Sequence, residues 1–436
     1  MKRTSLWVLA VLLVAMLALA GCGSNNDNGN KASNASDSVA SPAASPSETT
    51  AASGDAAQEK KKLTLWFYFE GKSQFDIIKG LTDGFTAKNP NIEVEPVYIP
   101  FADFKKRLSV GLAAADLPDI VIIDNPDHAA YAAMGLFADI TDQIADWTDK
   151  DQFFEGPWKS ASYDGKQYGI PLGSNNLALY YNEKMLADAG VTPPQTWDEL
   201  RDVAKKLTKD GVKGLGISAP QNEEGTFQFL PWLLSTGANF DKVAGDGAKA
   251  YGILADLIKD GSMSKEVINW TQSDVMKQFA AGKLAMMVNG PWQLPELAKT
   301  APDLKFGLAF VPKDKQFASV LGGENLGVVA GDNVKEAVEF IKYVASPDVN
   351  KKFAQDFGYF PARKDVASDA YWSNNPQLKV FAENMANAQP RGPHPKWPEI
   401  SNAISEALSK SLTLGVAPEQ AAAEAQTKID AIMANK

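Results

Sequence analysis

Leu63-Thr64-Leu65-Trp66-Phe67-Tyr68 is an unbroken run of β-favouring, mostly apolar side chains, as expected of a strand buried on both faces. Working outward, Gln74–Lys88 has helical character and stops at Asn89-Pro90, which cannot continue a helix. Ile92–Ile99 is a second strand, Phe101–Ala114 a second helix, and Ile120-Val121-Ile122-Ile123 a short apolar strand ahead of Asp124-Asn125-Pro126. Strands that alternate with helices predict an α/β fold of doubly wound parallel sheets. Ligands bind such sheets outside the carboxyl ends of the strands. Glu70, Asp124 with Asn125, and Asn289 all stand just past a strand end and are binding candidates on position alone.

Upstream of this core the chain reads differently. Lys2 and Arg3 precede an uncharged apolar segment, Leu6–Ala20, too short to span a ~30 Å hydrocarbon core. It ends in Leu19-Ala20-Gly21-Cys22, and Cys22 is the single cysteine. This order resembles the lipobox of bacterial lipoproteins, which implies a signal peptide over 1–21, lipidation of Cys22 and an anchor on the outer face of the cell membrane. The alternatives are a membrane-spanning anchor or an ordinary secretory signal with a chance cysteine. Residues 22–61 are rich in Asn, Ser, Ala, Gly and Pro and have too little apolar surface to offset ordering entropy, so they are expected to be a disordered tether. As a flexible coil of about 40 residues the tether reaches ~35 Å on average, which fits a thick, Gram-positive type of wall.

The remaining body, 62–436, is too long for one typical core and predicts two lobes. With Lys2 and Arg3 removed the net charge moves from −10 to −12, which argues against nucleic acid or an anionic lipid surface as a partner. In the middle of the body, Thr196-Trp197-Asp198-Glu199 is a capping box, and Leu200, Val203, Ala204 and Leu207 follow on one helical face. Lys335–Val344 is a second amphipathic helix, with Ser346 expected to cap the next, and Ile400, Ile404, Leu408 and Leu412 line a late one.

Catalytic motifs fail one by one. Gly71-Lys72-Ser73 lacks the earlier glycine of a phosphate loop, because position 66 is Trp. His128 and His394 are isolated, so no metal is expected. No thiol is left for catalysis and there is no nucleophile elbow. No cofactor is implied. A carboxylate pair of glycosidase type is the enzymatic reading that composition leaves open.

Six segments in order carry a resemblance: 163–171 (Tyr-Asp-Gly-Lys-Gln-Tyr-Gly-Ile-Pro), 177–182 (Leu-Ala-Leu-Tyr-Tyr-Asn), 193–200 (Pro-Pro-Gln-Thr-Trp-Asp-Glu-Leu), 279–292 (ending Val288-Asn289-Gly290-Pro291-Trp292), Gly322-Gly323-Glu324-Asn325-Leu326-Gly327-Val328, and Phe360-Pro361-Ala362-Arg363. Together they resemble the family 1 extracellular solute-binding proteins, the maltose-binding-like receptors of sugar ABC importers. The resemblance implies a two-lobed periplasmic-binding-protein type II fold with a hinge. Lobe 1 would hold 62–175 and 318–365, and lobe 2 would hold 176–317 and 366–436. It also implies a non-enzymatic, monomeric receptor that closes on a carbohydrate and delivers it to permease subunits. Amino acid, peptide or polyamine binding, and ligand sensing for a kinase, are the alternatives.

By the same resemblance Trp292 stacks on sugar, as does Trp397, in Pro393-His394-Pro395-Lys396-Trp397-Pro398. Phe229 and Trp232 read equally as stacking platform and core, whereas Trp66 and Trp197 read as core. Glu70, Asp124 and Asn125 would accept from hydroxyls, since a carboxylate can take two adjacent donors. Asn175 and Asn176 lie at the lobe crossover, Gly323 and Glu324 at a turn beside it, and Arg363 and Arg391 are weaker candidates. Ile123 stands where some oligosaccharide binders carry an aromatic, which argues against a long maltodextrin.

Overall fold

The structure, a computed structural model, describes residues 60–413 and 415–434. The signal peptide, Cys22 and most of the tether lie outside the described residues. No helix among the described residues is long and apolar enough to cross a membrane.

Two separate sheets organise the body. The first takes β1 (Lys61–Phe67), β2 (Ile92–Tyr98), β3 (Ile120–Asp124), β4 (Gly169–Pro171) and β9 (Glu324–Val328) in the order β2-β1-β3-β9-β4. The second takes β5 (Ala178–Asn182), β6 (Lys213–Gly216), β7 (Leu284–Asn289) and β8 (Phe306–Ala309) in the order β8-β5-β7-β6. The helices used below are α1 (Lys72–Lys88), α2 (Phe101–Ala114), α3 (Trp197–Leu207), α4 (Glu223–Ser235), α5 (Gln293–Thr300), α6 (Val334–Val344) and α7 (Trp397–Leu412).

The opening strand is buried as its apolar run requires. Leu63, Leu65, Trp66 and Phe67 are all in the core, and β1 pairs in parallel with β2 and β3. The sheet is not parallel throughout. β9 enters between β3 and β4 and runs antiparallel to both. In the second sheet β5 runs antiparallel to β7 and β8, and only β6 and β7 are parallel. The departure has one cause: the chain crosses between the sheets, so strands arrive that no βαβ connection delivered.

The crossing segments hold each other. Asn175 and Gly322 exchange backbone hydrogen bonds of 3.0 and 2.9 Å, and Ser174 and Phe360 exchange bonds of 2.8 and 2.9 Å. The helices follow their signals. Thr196 Oγ1 accepts from the Glu199 N–H and the Glu199 carboxylate accepts from the Thr196 N–H, closing the capping box of α3, and the Trp197 indole donates to the Pro312 carbonyl. Ile400, Ile404, Leu408 and Leu412 are all fully buried along α7. Ser346 stands at its expected N-cap position, but its hydroxyl donates back to the Tyr343 carbonyl instead of accepting from the new helix.

Candidate ligand cleft

A cavity of about 260 Å³ lies where the carboxyl ends of the first-sheet strands face the start of α4 and the turn after β7. From the first sheet come Tyr68, Phe69 and Glu70 after β1, Asp124 at the end of β3, and Glu324 at the start of β9. From the opposite side come Glu223, Glu224 and Phe227 of α4, Gln272, and Trp292 with Gln293. Asn175, Gly322 and Gly323 bring the crossing segments to its floor, and Tyr359 and Arg391 complete the wall.

Local sequence explains how each group arrives. Asn289-Gly290-Pro291 ends β7, and Trp292 folds back over Gly290 so closely that a Cβ there would lie 1.9 Å from the indole. Only glycine lets the ring lie flat across that turn. The indole sits 6.2 Å from the Phe227 ring and edge-on, 6.3 Å, to Tyr359. Gly323 has φ +137°, and a Cβ there would lie 2.2 Å from the Gly173 carbonyl, so a side chain is excluded where the two crossings pass. Asn222 caps α4 through Oδ1, which accepts from the Glu224 and Gly225 N–H groups, and this sets Glu223 and Glu224 at the mouth of the cavity.

The charges form two groups. Arg391, Asp124, Glu223, Lys105 and Asp127 make one buried network. The Arg391 guanidinium donates to both Asp124 oxygens at 2.6 Å, to Glu223 Oε1 at 2.7 Å, to Asn125 Oδ1 at 3.4 Å and, through Nε, to the Leu321 carbonyl at 3.3 Å. It also lies 4.4 Å over the Phe227 ring. Burial opposes its charge, but Asp124 and Glu223 hold its pKa above the ordinary value. Glu223 Oε2 takes the Trp397 indole N–H at 2.8 Å, and Lys105 of α2 pairs with Asp127 at 2.7 Å and Glu223 at 3.7 Å.

The second group has no cation. Glu324 Oε1 accepts from the Tyr68 hydroxyl at 3.2 Å, and the Tyr359 hydroxyl also hydrogen-bonds this carboxyl group. Burial, and then the Asp124 charge, push the Glu324 carboxyl up to about 8. Glu224 accepts from the Gln272 N–H at 2.5 Å, and burial pushes its carboxyl up to about 8, with Glu70 adding repulsion. Among the described residues no His, Cys, Asp and Glu group is arranged to hold a metal.

Of the residues singled out from sequence, Glu70, Asp124, Asn175, Trp292, Gly323, Glu324 and Arg391 meet at this wall. The others do not line it. Phe229 and Trp232 are rotated about 200° and 140° around α4 from the wall residue Phe227. They are fully buried against Tyr251 (4.2 Å) and Trp197 (6.4 Å). Asn176 is buried and donates to the Phe381 carbonyl. Asn289 lies behind the wall, where its amide donates to the Gln272 carbonyl at 3.0 Å. Arg363 is spent on Asp149, Asp365 and the Ala345 carbonyl. Trp397 is fully buried at the start of α7 and acts through Glu223 rather than at the cavity surface, and Asn125 touches Arg391 from behind.

Sequence reasoning missed Glu223, Glu224, Phe227, Tyr68 and Tyr359. The signal for the α4 residues was weak because β6, Lys213-Gly214-Leu215-Gly216, does not read as a strand. Its glycines are steric necessities: a Cβ on Gly214 would lie 2.2 Å from the Ala204 carbonyl and one on Gly216 2.4 Å from Leu284. Had β6 been legible, the strand-end rule would have led through the short following loop to Asn222-Glu223-Glu224.

A family model described as bacterial extracellular solute-binding protein matches residues 80–380. The maltotriose-binding protein of Pyrococcus abyssi is 27% identical over 80% of this chain and 77% of its own. An sn-glycerol-3-phosphate-binding periplasmic protein of Rhizobium meliloti is 26% identical over 78% and 86%. An ABC-transporter solute-binding protein of Thermotoga lettingae, solved with α-D-tagatose, is 28% identical, covers 85% of this chain and 99% of its own, and superposes with a TM-score of 0.79.

Proposed function

Because the chain belongs to the bacterial extracellular solute-binding proteins, we propose that it captures a carbohydrate in the cleft and presents it to the permease subunits of an ABC importer. The observation that carries this reading is the make-up of one wall. Trp292, Phe227, Tyr68 and Tyr359 offer ring faces and edges to the C–H side of a sugar, and Glu70, Glu324 and Asn175 offer acceptors to its hydroxyls. Relatives named for maltotriose and a neighbour holding tagatose point the same way.

The mechanism is closure without chemistry. Residues 62–175 and 318–365 form one lobe, residues 176–317 and 366–436 the other, and the crossings at Asn175–Gly322 and Ser174–Phe360 are the hinge. A ligand that touches both lobes favours the closed form by its differential affinity. Cys22 holds this monomer by its lipid to the outer face of a Gram-positive type of membrane, with 22–61 as the tether.

The test is calorimetry and thermal shift of the full chain against sugars, amino acids and polyamines. At a hundredfold excess over Kd a true ligand adds about 2.7 kcal/mol of stability. Selective stabilisation by a sugar is the expected result, and silence across sugars with a shift by an amino acid or polyamine refutes the reading. Mass spectrometry of membrane-extracted protein, showing acyl chains on Cys22, tests the anchor.

A further inference from the structure

Resting on the carbohydrate reading, we infer that the ligand is longer than one ring: the cavity holds one sugar, and the next lies outside it on an aromatic shelf made by Phe75 and Tyr98.

The argument begins with the order of the first sheet, β2-β1-β3-β9-β4. The crossings join it on the β9–β4 side, through Gly322 just ahead of β9 and Asn175 just after β4. The cavity draws on the carboxyl ends of β1 and β3 and on the start of β9, so β2 lies at the edge away from the crossings. The steps from β1 to β2 and from β2 to β3 run in opposite directions, and right-handed crossovers therefore put α1 and α2 on opposite faces of the sheet. Each face is closed by a contact across the cavity: Ser73 of α1 with Glu296 of α5, and Lys105 of α2 with Glu223 of α4. The way out runs over β1 toward β2. The cavity's volume of about 260 Å³ is room for about nine waters at ~30 Å³ each, the bulk of one hexose and not of two. A longer ligand leaves by the β2 side.

Three aromatic rings stand there. Phe67 and Tyr98 end β1 and β2 as directly paired neighbours, and Phe75 of α1 packs on both, 5.3 Å from Phe67 and 5.0 Å from Tyr98. Phe67 is buried, but Phe75 is 36% exposed and Tyr98 is half-buried. Of the exposed large apolar side chains among the described residues, Phe75 is the one whose neighbour in the chain, Gln74, lines the cavity. Glu70 joins the two places. Its exposed side chain also lines the cavity, and burial and then the Glu70 charge raise the Tyr98 hydroxyl pKa above its ordinary value. Among the described residues neither the Glu70 carboxylate nor the Tyr98 hydroxyl makes a hydrogen bond. An exposed ring, a free acceptor and a free hydroxyl thus stand side by side at the mouth. A sugar ring uses all three, its C–H side on Phe75 and its hydroxyls on Glu70 and Tyr98. One exposed ring falls far short of the ~800 Å² that each partner gives to a stable protein interface, and it matches the face of one sugar.

The test is titration calorimetry of the full chain with glucose, galactose, mannose and xylose and, for each, its α-1,4- and β-1,4-linked disaccharides, with amino acids and polyamines alongside. We expect one disaccharide to bind at least about tenfold tighter than its monosaccharide, the worth of covering ~60 Å² of apolar ring face. Phe75→Ala should cut that ratio to about threefold or less and leave the monosaccharide Kd within about twofold, whereas Phe75→Tyr should keep the ratio. The monosaccharide is the control for folding, since a damaged cavity weakens both members of the pair equally. A monosaccharide that binds as tightly as its disaccharides overturns this inference and leaves the carbohydrate reading intact, and so does a disaccharide preference that Phe75→Ala leaves unchanged. Binding of an amino acid or polyamine with no sugar of any kind overturns the carbohydrate reading, and with it this one.

Discussion

Helix α1 starts at a glycine, Gly71, which has no side chain with which to accept from the free N–H groups of its first turn, and that turn has no acidic residue. The missing acceptor comes from α5, whose Leu297 is buried with Tyr180 and Met287 of the second sheet. Glu296 of α5 takes the Ser73 N–H through Oε1 at 3.1 Å, and Lys299 donates to the Ser73 hydroxyl. In the closure proposed above this contact belongs to the closed state, so Glu296→Ala penalises that state alone. Loss of a cap costs about 1 kcal/mol, and loss of a negative charge at a helix N-terminus about 0.5 kcal/mol. The sum, about 1.5 kcal/mol, is roughly tenfold in the closed–open equilibrium. Glu296 is not part of the cavity wall, so ligand contacts are unchanged. Calorimetry with the cognate sugar should give a Kd raised about tenfold, and stopped-flow tryptophan fluorescence should place most of that in the off-rate. Glu296→Gln keeps an acceptor and loses the charge, so it should cost about two- to threefold. A Glu296→Ala variant with unaltered melting temperature and a Kd within twofold of wild type refutes the latch.

Four further outcomes follow from the geometry. Trp292→Ala removes ~100 Å² of sugar-covering surface, about 2.5 kcal/mol, so Kd should rise by tens of fold in calorimetry while the fold persists by circular dichroism. Arg391→Met leaves Asp124 and Glu223 buried without their partner, and chemical denaturation should show a loss of about 3–5 kcal/mol. Glu324 has a folded pKa of about 8 against about 4.3 unfolded. The folded state holds the extra proton, so this group's contribution is complete below pH ~4.3 and is lost as pH rises to about 8. Glu324→Gln, measured without ligand, should therefore gain melting temperature relative to wild type between pH 5 and 8. His128 works in reverse: burial against Phe137, with both ring nitrogens unpartnered, lowers its pKa to about 3. Stability should fall as pH drops from ~6.5 toward 3, by up to ~1.4 kcal/mol per pH unit, and His128→Leu should flatten that limb.

The fold was legible where one local rule decided the outcome. The apolar runs at 63–68 and 120–123 became buried strands, and the Thr196–Glu199 box opened a helix where its spacing said it would. Half the candidate site was legible for a similar reason. Strand-end position found Glu70 and Asp124, and the Gly-Pro break found Trp292. The rest depended on tertiary facts. Whether Trp232 or Phe227 faces a cavity is set by the rotation of α4 against the sheet, and both lie in the same apolar stretch. Whether Arg391 is free or spent depends on residues 168 and 267 positions away in the chain. No window of sequence contains that information.

The placement of β9 also bears on how the molecule comes to exist. The first sheet is complete only when Glu324–Val328 slots between β3 and β4, about two hundred residues after β3 is made. Until then β3 and β4 each present an unpaired edge, and no native contact available to the N-terminal half can close them. Pairings this distant in sequence form slowly. For a chain bound for the far side of a membrane, a sheet that must wait for its late strand postpones commitment to the folded state, leaving it threadable through a translocation pore for longer than a sheet assembled in sequence order. The same delay leaves strand edges exposed to wrong pairing until the late strand arrives.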